Sequence, residues 1–355
     1  MNVTPFFSII IPVYQCKDFL KQTVKSVEQQ TFSNIEIILI DDGSTDGSAE
    51  ICDNLASHDD RIIVIHKTNQ GVSIARNLGI KKSQGKWLIF VDSDDCVSPV
   101  MCEEFFNYIK KSSLDLLTFS ITRTVGKVIR KTTVNHDVLF IQSKYQDIAL
   151  IKAMLMGIYD NFTSTFQKAF GNNIILNSPC AKAYNKKFII QNDLWFEEKV
   201  KYSEDMLFNI QVLGCNARVL FVDDPVYFYR NNSTSASNQK YISGIVKNYT
   251  IFKEKLENFF AFKNIVNLQS ALDEYTLKSI LTIIHFDIFR PGFSIMKSRK
   301  RLIQVTEDKE FKRIINISLL NQYKHDLDSK EKIKATLLLK KKFWILFFIY
   351  KVLRI

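Results

Sequence analysis

Apolar runs and amphipathic stretches alternate at a regular spacing over the first hundred residues. The run FFSIIIPVY (6–14) is continuous and rich in Ile, the pattern of a strand buried on both faces. CKDFLKQTVKSVEQQTF (16–32) then places Leu20, Val24 and Val27 on one helical stripe. A second strand, IEIILIDD (35–42), breaks into a Gly/Ser/Asp turn before a second helix, AEICDNLASHD (49–59). RIIVIHKTNQG (61–71) gives a third strand, and VSIARNLGIKKSQG (72–85) a third helix, closed by Gly85 where a left-handed cap would sit. KWLIFVDSDD (86–95) is the fourth strand. Strand–helix alternation at this spacing predicts a parallel, doubly wound α/β sheet.

Past residue 100 the pattern thins. Residues 101–112 read as a helix, 114–142 as strands and turns, and YSEDMLFNIQVLG (202–214) as a helix with Met206, Ile210 and Leu213 on one side. ARVLFVDDPVYFYRNNSTSAS (217–237) reads as a strand pair around Pro225 ending in a polar loop. From about 240 onward the spacing is helical, which predicts an α/β region at 1–238 (halves 1–100 and 101–238) and a helical region at 239–355.

The chain's 355 residues suit two domains, and 46% hydrophobic with 24% charged residues is ordinary for a folded protein. A net charge of +11 favours an acidic partner: nucleic acid, nucleotide phosphates or an anionic membrane surface. The six cysteines show no CxxC pair and no His at metal spacing, so they read as reduced, buried thiols. The first residues lack a basic n-region and soon meet Pro12, so they read as a strand and not a signal peptide; the expected location is cytoplasmic.

Open sheets bind ligands beyond the carboxyl ends of their strands. Three of the four strand ends here carry chemically capable residues: Tyr14, the Asp41–Asp42 pair, and Asp92, Asp94 and Asp95. No GxGxxG follows any strand, which weakens a dinucleotide reading. Crowded carboxylates repel, so DSDD calls for a positive partner, and oxygen ligands of this charge suit Mg²⁺ or Mn²⁺.

The segments SIIIPVY, IEIILIDDGSTDGS, NQGVSIARNLGI, GKWLIFVDSDD and YSEDMLF occur in an order and spacing that resembles the family 2 glycosyltransferases. These are inverting enzymes of the GT-A fold, a Rossmann-like, mostly parallel sheet flanked by helices, and they use nucleotide-diphospho sugars. The resemblance covers residues 6–100 closely and 175–235 more loosely. It implies that Pro12, Val13 and Tyr14 line the base pocket, with Tyr14 stacking on the base. Asp42 would accept a hydrogen bond from uracil while Asp41 steadies the turn, and Arg76 would lie near the nucleotide. Asp92 and Asp94 match the DxD motif, with Asp94 the direct ligand of Mn²⁺ or Mg²⁺ and Asp92 and Ser93 on the donor side; Asp95 would help the metal or cap the helix. Asp205 of the Glu204–Asp205 pair would be the catalytic base. Arg230 and the Ser233–Ser235 hydroxyls would reach the diphosphate.

In NSPCAKAYNKKF (177–188) the family's Trp-Asn pair reads Cys180 and Ala181, and Lys182 and Tyr184 are retained on the acceptor side. The implied partners are a UDP-sugar and a glycan or lipid-linked oligosaccharide acceptor, with no nucleic acid. The alternatives are a nucleotide-sugar or glycan-binding relative without turnover, and a nucleotidyltransferase. The tail 340–355 has an apolar run, Phe343 to Tyr350, too short to span a bilayer and flanked by Lys340, Lys341, Lys342, Lys351 and Arg354. It predicts peripheral contact with an anionic inner membrane surface; packing in a bundle or a homodimer is the other use of such a segment.

Overall fold

The computed structural model describes residues 4–124, 138–141, 144–156, 175–230, 244–289, 294–307, 309–314, 329–340 and 342–351. The chain forms two compact units: Met1–Leu150 with Asp160–Asn232, and Ile151–Tyr159 with Ser233–Ile355.

The first unit is built on β1 (Phe7–Val13), α1 (Lys17–Glu28), β2 (Ile35–Asp41), α2 (Ser48–Ala56), β3 (Ile62–His66), α3 (Val72–Lys82) and β4 (Trp87–Phe90). There follow β5 (Cys96–Val97), α4 (Met101–Ile109), β6 (Leu116–Thr124), β7 (Val138–Ile141) and α5 (Lys144–Met156), then β8 (Lys182–Asn185), α6 (Lys186–Gln191), α7 (Glu204–Gly214) and β9 (Val219–Arg230). The sheet runs β3-β2-β1-β4-β8-β6-β9-β5, with β7 also paired to β9. The first four of these strands are parallel, and β8 lies antiparallel to both β4 and β6. The result is a mixed sheet flanked by helices, the GT-A architecture.

Every residue of β2, and all of β1 except Pro12, is buried, as their unbroken apolar runs require. Each fully buried Ile contributes roughly 1.5–3 kcal/mol. Register aligns Val13 with Asp41 and Asp41 with His66, so the carboxyl ends of β1, β2 and β3 form one edge. At the opposite end, the buried Glu36 carboxylate accepts hydrogen bonds from Ser8 Oγ (2.5 Å) and the Gly85 amide (3.0 Å).

Two local expectations are corrected. Gly85 is not a left-handed cap: α3 ends at Lys82 with Ser83 as its cap, and a Cβ on Gly85 would lie 2.5 Å from Ser8 Oγ and 2.6 Å from its amide. The glycine is there for close approach to β1. Pro225 does not split a strand pair. It lies within the single strand β9, where the missing N–H is absorbed as a bulge: pairing with β6 skips from Val222 to Pro225 and then to Tyr227.

The C-terminal unit is helical: α8 (Ile245–Phe262), α9 (Gln269–Ile283, continued by a π turn at Ile284–Ile288), α10 (Ile295–Thr306), α11 (Lys309–Ile314), α12 (Ser329–Leu339) and α13 (Phe343–Lys351). Leu277, Ile280, Ile284, Leu302, Phe311, Leu338 and Leu346 share one core, and Asp273–Arg313 (2.7 Å) and Asp287–Arg301 (2.8 Å) tie its helices. Among the described residues, no helix is long and apolar enough to cross a membrane. Lys341 and Arg354 of the basic tail lie outside the described residues, as does the side chain of Lys351.

Candidate active site

The site forms where the strands run out. Tyr14 follows β1 with half of its surface exposed (51%), beside the partly buried Pro12 and the buried Val13. Gln15, at φ +49, turns the chain back, and its side chain clasps Thr45: Nε2 donates to Oγ1 (3.0 Å) and Oε1 accepts from the amide (3.0 Å). Asp46 joins the same turns, accepting from the Lys17 amide (3.1 Å) and Ser48 Oγ (2.6 Å). The first two strand ends are thereby locked together.

Asp42 is buried and heavily used. It accepts from the Gln70 amide (2.9 Å), the Gly71 amide (2.7 Å) and Lys67 Nζ, which leaves one lone pair of Oδ2 for a further donor. Asp41 holds the turn through the Ser44 amide (3.0 Å) and His66 Nδ1 (2.9 Å). His66 also reaches Asp53 (3.0 Å), and the two carboxylates, Asp41 first, raise its pKa. Burial would raise the Asp41 carboxyl, but the bonds from His66 and Ser44 lower it on balance. The signs give a pH window. His66 contributes stability below its ordinary value near 6.5 and loses it as pH rises through the folded pKa. Asp41 contributes above its ordinary value and loses it as pH falls through the folded one. An NMR titration of His66 is expected to give a pKa above the 6.5 of an ordinary histidine. Asp53→Asn should lower it and Asp41→Asn should lower it further; an unshifted histidine would refute the pairing.

Arg76 connects the remaining parts. Its helix α3 sits tight on β1, since a Cβ on Gly79 would lie 2.3 Å from Ile10 Cγ2. From there the buried guanidinium donates to Asp92 (3.0 Å) and to Glu204 (3.0 Å) and stacks over Phe196 at 5.2 Å. Burial works against its charge, yet Asp92 and Glu204 outweigh that and raise its pKa. Glu204 opens α7 behind Ser203, a non-glycine residue held at φ +67, a strained conformation of the kind that gathers at functional sites. Burial pushes Glu204 up to about 7 against the pull of Arg76. Asp205 is raised as well, by burial first, while Arg76 and the Met206 amide (2.8 Å) oppose the shift.

The turn after β4 divides its three carboxylates. Asp95 is buried: Oδ2 accepts from Tyr227 (2.7 Å) and Oδ1 from the Arg230 amide (2.7 Å). Burial, then the neighbouring charges of Asp92 and Asp94, push it up to about 8. It is a strut between the turn and β9. Asp92, Ser93 and Asp94 are only partly buried. Among the described residues no three His, Cys, Asp or Glu side chains gather as a metal cage. The donor set still fits an Mg²⁺-type ion, which keeps several waters and takes one or two carboxylates plus substrate phosphates. Arg230, at the end of β9, donates to Gln22 (2.9 Å) and lies 5.0 Å over Phe19. Ser233–Ser235 fall outside the described residues.

Lys182 and Tyr184, expected on the acceptor side, do not present their side chains to solvent. Lys182 Nζ donates to the Ile175 and Ser178 carbonyls, and burial brings its pKa down to about 7. Tyr184 donates to Asn209 (2.8 Å) within the Phe90–Phe208 aromatic cluster. Both support the floor from behind. Ala181 holds φ +55, a left-handed conformation that Asn adopts more readily than Ala. Tyr227 was not legible in the sequence: it donates to Asp95 and accepts from the Asp92 amide (3.1 Å), 135 residues away, with no local pattern to mark it.

The family model for glycosyl transferase family 2 matches residues 8–191. An uncharacterized glycosyltransferase, EpsJ of Bacillus subtilis, is 31% identical over 237 residues, 67% of this chain and 64% of that protein. Glycosyltransferase GlyG of Streptococcus pneumoniae is 27% identical over 66% of this chain and 73% of its own. Among solved structures, S. aureus TarS 1–349 in complex with UDP-GlcNAc aligns with a TM-score of 0.62 at 18% identity, covering 98% of this chain and 91% of that one, a likeness of fold.

Proposed function

The chain belongs to glycosyl transferase family 2, and from that premise we propose that it moves a hexose or N-acetylhexosamine from a UDP-sugar to a hydroxyl of a glycan acceptor, with inversion, in bacterial surface polysaccharide synthesis. One observation carries the proposal: buried Arg76 bridges Asp92 and Glu204, so the donor-side turn and the helix bearing the base form one constellation. The UDP-GlcNAc bound by TarS, a protein of the same fold, favours a uridine donor.

In this reading Tyr14 stacks on the base at the edge made by Pro12 and Val13, and the remaining lone pair of Asp42 meets the uracil ring. Asp92 and Ser93 face the sugar and ribose hydroxyls, and Arg230 faces the diphosphate. Asp94, with Asp92, would hold Mn²⁺ or Mg²⁺, whose chemistry there is to stabilise charge on the leaving diphosphate. Asp205 takes the acceptor proton, and the freed oxygen attacks the anomeric carbon on the face opposite the diphosphate, inverting it.

Release of UDP from a panel of UDP-sugars, with and without a glycan or lipid-linked acceptor, tests the proposal. Acceptor-dependent UDP is the expected result. Binding without turnover would indicate a non-catalytic relative, and pyrophosphate release a nucleotidyltransferase; either outcome overturns the transfer reading. Peripheral contact of the tail 340–355 with an anionic cytoplasmic leaflet would bring the site beside a lipid-linked acceptor.

A further inference from the structure

The chain's positive charge is unevenly placed. Residues 233–355 carry 23 Lys and Arg against 11 Asp and Glu, whereas residues 1–232 carry 25 against 26. The whole excess therefore lies in the C-terminal part. Within that unit a cavity of about 530 Å³ opens between α10, α11, α12 and α13. This is the size of a small-molecule site. Its floor is apolar, made by the buried Leu302, Leu338 and Leu346. Its rim holds the exposed Arg299 and Ile303 with the Glu307–Lys312 pair (3.0 Å), so the mouth has one net positive charge.

Helix α13 is apolar on two sides. Phe343 and Phe347 pack on Phe289 with ring centroids 6.0 and 5.5 Å apart, and Leu346 is fully buried. Trp344 (60% exposed), Ile345 and Phe348 face outward at i, i+1 and i+4 spacing, directly behind the exposed Lys340 and Lys342. An apolar stripe led by cations and carrying a tryptophan has the composition of a segment that lies in a membrane interface.

We propose that this cavity takes up an acyl chain of an anionic membrane lipid, with Arg299 at the headgroup, while Trp344, Ile345 and Phe348 rest in the same leaflet. The proposal builds on the peripheral-membrane reading above and is independent of glycosyl transfer. A chain held in the cavity adds a specific contact to a surface attraction that salt would otherwise screen. Bulk charge alone would bind any anionic vesicle; the cavity selects for a single chain beneath an anionic head.

The test uses the full chain and lysophosphatidylglycerol below its micellar concentration, followed by titration calorimetry. One saturable site is expected. Ile303→Trp, which closes the mouth from an exposed position, should weaken binding by about tenfold or more. Arg299→Gln should weaken it by about fivefold, the worth of one basic contact with an anionic leaflet. Neither residue belongs to the catalytic constellation, so UDP-sugar turnover should be unchanged in both. Vesicles of phosphatidylglycerol carrying brominated acyl chains should quench Trp344. The absence of a saturable lysolipid site overturns the proposal, and vesicle sedimentation that persists would leave the surface attraction standing without it. Equal competition by glycerol phosphate would reduce the site to an anion contact and also overturn it. So would a dimer that Ile303→Trp dissolves, since the groove would then belong to a second copy.

Discussion

Asp205→Asn is expected to keep donor affinity and lose transfer by about 10²–10⁴-fold, the usual contribution of a general base. The amide matches the carboxylate in shape and can still accept the Met206 amide bond that orients the side chain, but it cannot take a proton. Glu204 is a poorer candidate because Arg76 holds its Oε1 at 3.0 Å. The two carboxyls are neighbours that both titrate upward through burial, Glu204 to about 7 and Asp205 above the ordinary aspartate range. A base acts when ionised. Hence kcat/KM should rise with pH to a plateau, with a midpoint above the ordinary aspartate value, and Asp205→Asn should remove that rise. A variant keeping more than half of wild-type turnover would move the base to Glu204.

The half of the fold that was readable from sequence is the half with uniform rules. In residues 6–95 the strands β1, β2 and β4 are buried on both faces, so their runs are continuous, and helices alternate with them; the element order followed, and so did the strand ends. Beyond residue 100 the patterns are mixed: β8 runs antiparallel to β4, β9 bends at a bulge against β6, and the two bury polar groups such as Lys182 and Tyr227. Asp205 and Arg76 could be nominated from local motifs. What joins them could not: Arg76 reaches Glu204 across 128 residues, and Asp95 reaches Tyr227 across 132. The pattern also treated Asp92, Asp94 and Asp95 as one crowd. The fold separates them, sinking Asp95 into the sheet as a strut and leaving the other two at the surface of the turn.

That separation makes Asp94→Ala the sharper test of metal use. Both Asp95 oxygens are taken, by Tyr227 and the Arg230 amide, and one Asp92 oxygen is taken by Arg76. Asp94, only partly buried, stands at the DxD position that would hold the ion in the proposed reading. In a thermal-shift assay with Mn²⁺, a UDP-sugar at 100 times its dissociation constant should stabilise the wild type by about 2.7 kcal/mol. Asp94→Ala should show almost none of this, and EDTA should reduce the wild type to the same level. The charge on Asp94 also helps push the buried Asp95 carboxyl up to about 8, so Asp94→Ala should lower the Asp95 pKa. A lowered Asp95 pKa with a loss of donor response is a pair of signs that simple misfolding cannot produce. Donor stabilisation of the wild type that survives EDTA would sink the metal role and leave Arg76 and Arg230 as the cations facing the diphosphate.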